Sequence, residues 1–178
     1  MSFHASGLSR RPVLKAGVAA GGGLLLSLSV PALGSVQAKD QTAFAPNAFL
    51  RLGRDGKITM TIPQVEMGQG IYTSLAMILA DELDAAFEHV SVEAAPPNDA
   101  LYANPILRFQ VTGGSTSVRG FWMPFRIAGA GARAMLVEAA ARTWGVEPAA
   151  CRTAESQVIH DLSNRRIDYA ALVDAAAG

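Results

Sequence analysis

The chain has 178 residues, half of them apolar, with 15 basic and 15 acidic side chains and a formal charge of zero. That length suits one globular domain with a real core, and the absence of a basic stripe or interleaved arginines and aromatics leaves nothing for nucleic acid to bind. The lone Cys151 excludes an intrachain disulfide and any multi-cysteine metal site, and reads as a small buried hydrophobe.

Residues 1–38 read as an address rather than as part of the fold. They contain Arg10, Arg11 and Lys15 and no acid, which leaves the remainder slightly acidic. Ser9-Arg10-Arg11-Pro12-Val13-Leu14-Lys15 precedes a charge-free run from Ala16 that closes with Val36-Gln37-Ala38, a small-x-small cleavage pattern. The paired arginines resemble a twin-arginine signal, with Val13 where that signal often has Phe. A retained membrane anchor is the competing reading, since the run is long enough to cross a bilayer. Gly21 to Gly23 and Pro31 make it weakly helical, and a cleaved leader over 1–38 with a domain over 39–178 is preferred. Such a signal implies export in the folded state to the periplasm, with peripheral attachment to the inner membrane as a variant.

Past a polar lead-in over 42–47, two runs around Phe49–Leu52 and Lys57–Ile62 flank Gly53-Arg54-Asp55-Gly56, which predicts a β-hairpin. Ile71, Leu75, Ile78, Leu79 and Leu83 then mark one face of a helix running to about Ala86. Asp81, Glu82 and Asp84 near its end read as a solvated face, because no partner ligand stands at a spacing useful for a metal. His89 to Ala94 alternates as a strand, and residues 98–111 form a long irregular connection of the kind that often carries function. A helical rhythm runs from Ser117 to Trp144, with Pro124 expected to kink or divide it. Gly120, Gly129 and Gly131 suggest close approach of another backbone. A short helical turn at 147–150, a strand at Gln157–His160, a turn at 163–166 and a last helix from Tyr169 to Ala177 complete an α+β fold, helices packed on a small mixed sheet. His89 and His160 lack any catalytic motif and read as structural.

Two segments carry candidate chemistry. Gln64-Val65-Glu66-Met67-Gly68-Gln69-Gly70-Ile71 joins a strand to a helix through glycines around a glutamine. Thr112-Gly113-Gly114-Ser115-Thr116-Ser117 opens onto the second long helix, with Arg119 one turn on. A helix that starts after Gly68-Gln69-Gly70 offers unpaired N–H groups and a positive dipole end, a seat for an anion. Gln69 can donate and accept in one plane. By spacing alone each signal is weak: such turns are often only tight turns, and Ser115 or Ser117 can serve as a helix cap. There is no G-x-x-x-x-G-K-[ST] loop and no full dinucleotide fingerprint.

In these two segments, and in the order of elements from Asn47 to Ala177, the chain resembles the molybdopterin-binding subunits of the xanthine oxidase family. The likeness is greatest to isoquinoline 1-oxidoreductase β subunits and exported aldehyde dehydrogenases. The resemblance implies a molybdenum-molybdopterin cofactor, often in its cytosine dinucleotide form, contacted by Gly68, Gln69 and Gly70 and by Ser115, Thr116 and Ser117; Gly113, Gly114 and Arg119, at the same helix entrance, complete the candidate cofactor site by their residue types. It implies hydroxylation of N-heteroaromatics or oxidation of aldehydes with water as oxygen source. Electrons would pass to a partner iron–sulfur subunit with [2Fe–2S] clusters, or to a cytochrome c subunit. The glutamate that acts as general base in that family lies far toward the C-terminus, so no catalytic residue is assigned here. The chain corresponds to the N-terminal part of such a subunit, with the missing C-terminal part as a partner, and no turnover is expected from it alone. Two other readings stay open: a periplasmic binding or assembly module that has lost catalysis, and a quinone-linked, membrane-associated aldehyde dehydrogenase subunit.

Overall fold

A computed structural model of the protein describes residues 14–19, 23–28 and 49–177. The paired arginines, the cleavage pattern at Ala38 and the lead-in over 42–47 lie outside these residues.

Among the described residues, eight strands and four α-helices make two sheets and a helical layer. The larger sheet has the order β1-β2-β3-β4-β5. Its first two strands, β1 (Leu14–Ala19) and β2 (Gly23–Leu28), fall in the stretch read as a leader and pair antiparallel, with β2 continuing onto β3 (Leu50–Gly53). The expected hairpin joins β3 to β4 (Ile58–Ile62), with Leu50 opposite Met60 and Leu52 opposite Ile58. Strand β5 (Val90–Ala94) lies parallel to β4, so the sheet is mixed, and α1 (Ile71–Leu83) is the crossover between them.

Alternation decides which face of this sheet is covered. Leu50, Leu52, Ile58, Met60 and Ile62 are buried in the core shared with the helices. Arg51, Thr61 and Glu93 meet on the other face, where Thr61 donates to Glu93 at 2.8 Å and Arg51 reaches it at 3.5 Å. The covering helices are α1, α3 (Ser117–Trp144) and α4 (Tyr169–Ala177). The expected stripe of α1 is buried except for half-exposed Ile78, and Phe121, Phe125, Ala128, Ala132, Leu136 and Ala139 of α3 face it. Val118 and Trp122, which share the helical rhythm of α3, are exposed.

Glycine sets how closely the two long helices approach. A methyl group on Gly129 would stand 2.5 Å from the Leu79 carbonyl oxygen and 2.9 Å from Glu82 Cβ. Gly120 likewise leaves room for Asn104 and Pro105.

Several expectations change. Helix α1 ends at Leu83 because Asp84 takes a left-handed conformation (φ 53°) and turns its N–H back onto the Ala80 and Asp81 carbonyls. The acids at that end are not simply solvated: Glu82 pairs with Arg126, and Asp84 accepts from Arg133 at 3.0 Å and from Thr153. Helix α3 continues unbroken through Pro124. The irregular connection contains a short helix, α2 (Asp99–Tyr102). A second sheet of β6 (Arg152–Ala154), β7 (Gln157–His160) and β8 (Arg165–Asp168) is antiparallel throughout, so Arg165 and Arg166 open a strand instead of ending a turn. Cys151 is half-buried, and burial raises its thiol pKa. His160 is buried with Nδ1 2.7 Å from Ser163 Oγ, whereas His89 is exposed.

Candidate functional site

The two glycine-containing segments are joined at one end of the helical layer. The Val65 N–H donates to Thr112 Oγ1 at 2.8 Å, and Ser117 Oγ donates to Gln64 Oε1 at 2.6 Å. Gln64 is 2% exposed, and its amide nitrogen donates to the Pro63 carbonyl at 2.8 Å, so both ends of the side chain are used. Sequence reasoning missed this bridge. A polar side chain directly after a strand-ending proline gave no sign that it would be buried.

Within the first segment Glu66 has a role that the sequence did not disclose. Its carboxylate accepts the N–H groups of Gly68 at 2.8 Å, Gly70 at 3.0 Å and Tyr72 at 3.1 Å. These donors, Tyr72 first and then Gly70, hold the carboxyl pKa below its ordinary range. The expectation of an open anion seat at the start of α1 is therefore corrected, because the chain's own carboxylate fills it. Gly68 (φ 97°) and Gly70 (φ 76°) supply the left-handed backbone that wraps the loop around that carboxylate. Gln69 closes the same loop: its Oε1 accepts the Met67 N–H at 2.7 Å and its Nε2 donates to the Val65 carbonyl at 2.7 Å. The side chain is nonetheless exposed, with a second amide hydrogen and a further lone pair to offer.

The second segment divides its roles differently from the expectation. Thr116 is 5% exposed; its hydroxyl donates to the Gly113 carbonyl at 2.7 Å and accepts from Asn104 Nδ2 at 2.8 Å. Ser117 is committed to Gln64. These two hydroxyls hold the loop, and Ser115 alone of the three stands exposed without a partner among the described residues. Ser115 (φ 53°) and Gly114 (φ 60°) are left-handed, and Gly113 and Gly114 are exposed. At the start of α3 the N–H groups of Ser117, Val118 and Arg119 have no partner among the described residues. Arg119 is exposed beside them, with no ion-pair partner among the described residues. The open anion seat is thus at α3, not α1.

Asn104, 0% exposed, is a further supporting residue missed in the sequence. Its Oδ1 accepts from the Ile106 N–H at 2.9 Å and its Nδ2 holds Thr116, which ties the long connection to the second loop. The Asn-Pro pair at 104–105 was its only local signal.

The arrangement is an open shelf. A Cβ added to Gly68, Gly70 or Gly113 would meet nothing within 4 Å, so a ligand can reach the backbone there. The cleft beneath the junction holds only about 80 Å³. A ligand touching both loops would meet the Gln69 amide beside the Glu66 carboxylate on one side and the free N–H groups of the α3 start with exposed Arg119 on the other. A polar ring system linked to a phosphate fits that pattern.

Comparison with known proteins identifies the family. The sequence matches the molybdopterin cofactor-binding domain family over residues 12–178. It is 38% identical over 149 residues to isoquinoline 1-oxidoreductase subunit beta of Brevundimonas diminuta, covering 82% of this chain and 19% of that one. It is 40% identical over 116 residues to a membrane-bound aldehyde dehydrogenase [pyrroloquinoline-quinone] of Gluconacetobacter polyoxogenes, covering 65% of this chain and 14% of the relative. Among solved structures, quinoline 2-oxidoreductase from Pseudomonas putida 86 shares the fold with a TM-score of 0.56 at 22% identity, over 71% of this chain and 15% of that one. The chain thus spans less than a fifth of the length of each of these relatives. With that match over most of its length, the chain belongs to the molybdopterin cofactor-binding domains of the xanthine oxidase family.

Proposed function

We propose that this chain is the molybdenum-cofactor-binding part of an exported oxidoreductase that hydroxylates N-heteroaromatics or oxidises aldehydes. The observation that carries the reading is the bonded pair of loops, Gln64 to Ser117 and Val65 to Thr112, which joins the Gln69 loop to the start of α3. When bound, the cofactor supplies the two-electron redox chemistry and the site at which water becomes the oxygen donor. The residues of this chain bind and orient. Gln69 and the backbone around Gly68 and Gly70 would hold the polar pterin ring. The Ser117–Arg119 amides, Ser115 and the Arg119 guanidinium would hold a phosphate, or the pyrophosphate of a cytosine dinucleotide form.

Proton abstraction is assigned to a residue outside this chain. Glu66 is held as a carboxylate by backbone donors, which makes it a weak base and occupies its oxygens. Turnover therefore needs the rest of a large subunit. Electrons would leave through a [2Fe–2S] subunit or a cytochrome, and the twin-arginine pattern supports loading in the cytoplasm before export to the periplasm. The test is metal and pterin analysis of the protein purified from its native host. Molybdenum and pterin in equal amounts support the reading, and their absence favours a module that has lost catalysis.

A further inference from the structure

Away from the loops, one side of the helical layer carries large apolar side chains with nothing over them. Met77 on α1, Phe87 just past it and Trp122 on α3 are 44–56% exposed. A groove of about 860 Å³ runs among Met77, Phe87 and Trp122, with Asp81, Arg126 and Glu155 on its walls. Contiguous apolar surface of this kind marks an interaction site.

Charge narrows what fits there. Arg126 stands 5.6 Å from the Trp122 ring centre and is paired with Glu82, so its charge is already met. Asp81 and Glu155 are exposed and have no ion-pair partner among the described residues. A second copy of the chain seated face to face would bring these acids against their equivalents, a like-charge meeting that opposes self-association. About four-fifths of the Brevundimonas relative lies outside the stretch that this chain matches. We infer that this groove seats an amphipathic segment from the remainder of the large subunit, its apolar side chains between α1 and α3 and a lysine or arginine at Asp81 and Glu155. The inference rests on the reading of the chain as part of a molybdenum large subunit.

The test is co-purification of the tagged 178-residue chain with the Brevundimonas large subunit from which the matching stretch has been deleted. The wild-type chain is expected to retain it, and Met77→Glu, on the groove wall, and the charge reversal Asp81→Lys each to lower recovery at least tenfold. Leu162→Glu, on an exposed side chain of a different element, is expected to leave recovery unchanged. Circular dichroism of each variant separates lost docking from lost folding, and Asp81→Lys, at an exposed position, keeps the test alive if Met77→Glu unfolds. Equal recovery with folded Met77→Glu or Asp81→Lys overturns the inference, as does no recovery with wild type, or a homodimer that Met77→Glu dissolves. Pterin in the recovered complex reports separately on the functional reading: a complex without pterin sinks that reading and leaves the docking face standing.

Discussion

Replacing Gln64 by methionine keeps the length of the side chain and removes both of its hydrogen bonds. The Ser117 hydroxyl loses its acceptor at 2.6 Å and the Pro63 carbonyl loses its donor at 2.8 Å. A typical intramolecular bond contributes about 1 kcal/mol net, and a buried group left without a partner costs about 1–3 kcal/mol. Ser117 is half-buried and recovers part of its loss to water, whereas Pro63 is buried. The sum is about 2–3 kcal/mol, or roughly 5–10 °C in Tm for a domain of this size. Equilibrium urea unfolding of Gln64→Met, Ser117→Ala and the double variant forms a cycle whose coupling should exceed about 0.5 kcal/mol. Additive effects within about 0.3 kcal/mol would refute the bridge, and with it the claim that the two loops are fixed as one unit.

Other predictions follow from the same geometry. Gly129→Ala gains about 1 kcal/mol of helix propensity but drives a methyl group into the Leu79 carbonyl at 2.5 Å, and overpacking of this kind costs about 1–3 kcal/mol. A lower urea midpoint is expected, and an unchanged or higher one counts against the close approach of α1 and α3. Glu66, with its pKa depressed in the folded state, stabilises above the ordinary carboxylate value of 4.5 and loses that contribution as pH falls through the depressed value. Wild type should therefore lose stability on acidification across that window, and Glu66→Gln should show a shallower pH dependence measured by thermal unfolding. Arg119→Gln should lower pterin content of the purified complex without moving Tm, since Arg119 makes no ion pair among the described residues. The isolated 178-residue chain, assayed with an artificial electron acceptor, should oxidise neither aldehydes nor N-heterocycles, and robust turnover would place the base on this chain.

The elements legible in the sequence were those whose apolar stripe coincides with burial. The α1 stripe from Ile71 to Leu83, the hairpin around Gly53–Gly56 and the last helix from Tyr169 to Ala177 all follow from periodicity. The second sheet was only partly legible. Its β6–β7 turn is Glu155-Ser156, both left-handed, where Asn-Gly would have announced it. Its third strand, Arg165–Asp168, is mostly charged. At the site, the two segments and their order could be read, but not the division of labour within them. Gly68-Gln69-Gly70 before a helix reads as an open anion seat until Glu66 is seen folded back onto it. Thr116 and Ser117 read as ligand contacts until their hydroxyls are found on Asn104, Gly113 and Gln64. Both surprises come from side chains satisfying local backbone, which spacing does not distinguish from readiness for a ligand.

The most direct measurement is a structure of the cofactor-loaded complex, read at the phosphate. Phosphate oxygens are expected within hydrogen-bond distance of the Ser117–Arg119 amides, with the Glu66 carboxylate still on Gly68, Gly70 and Tyr72. A phosphate seated at the start of α1, with Glu66 displaced, would contradict that placement.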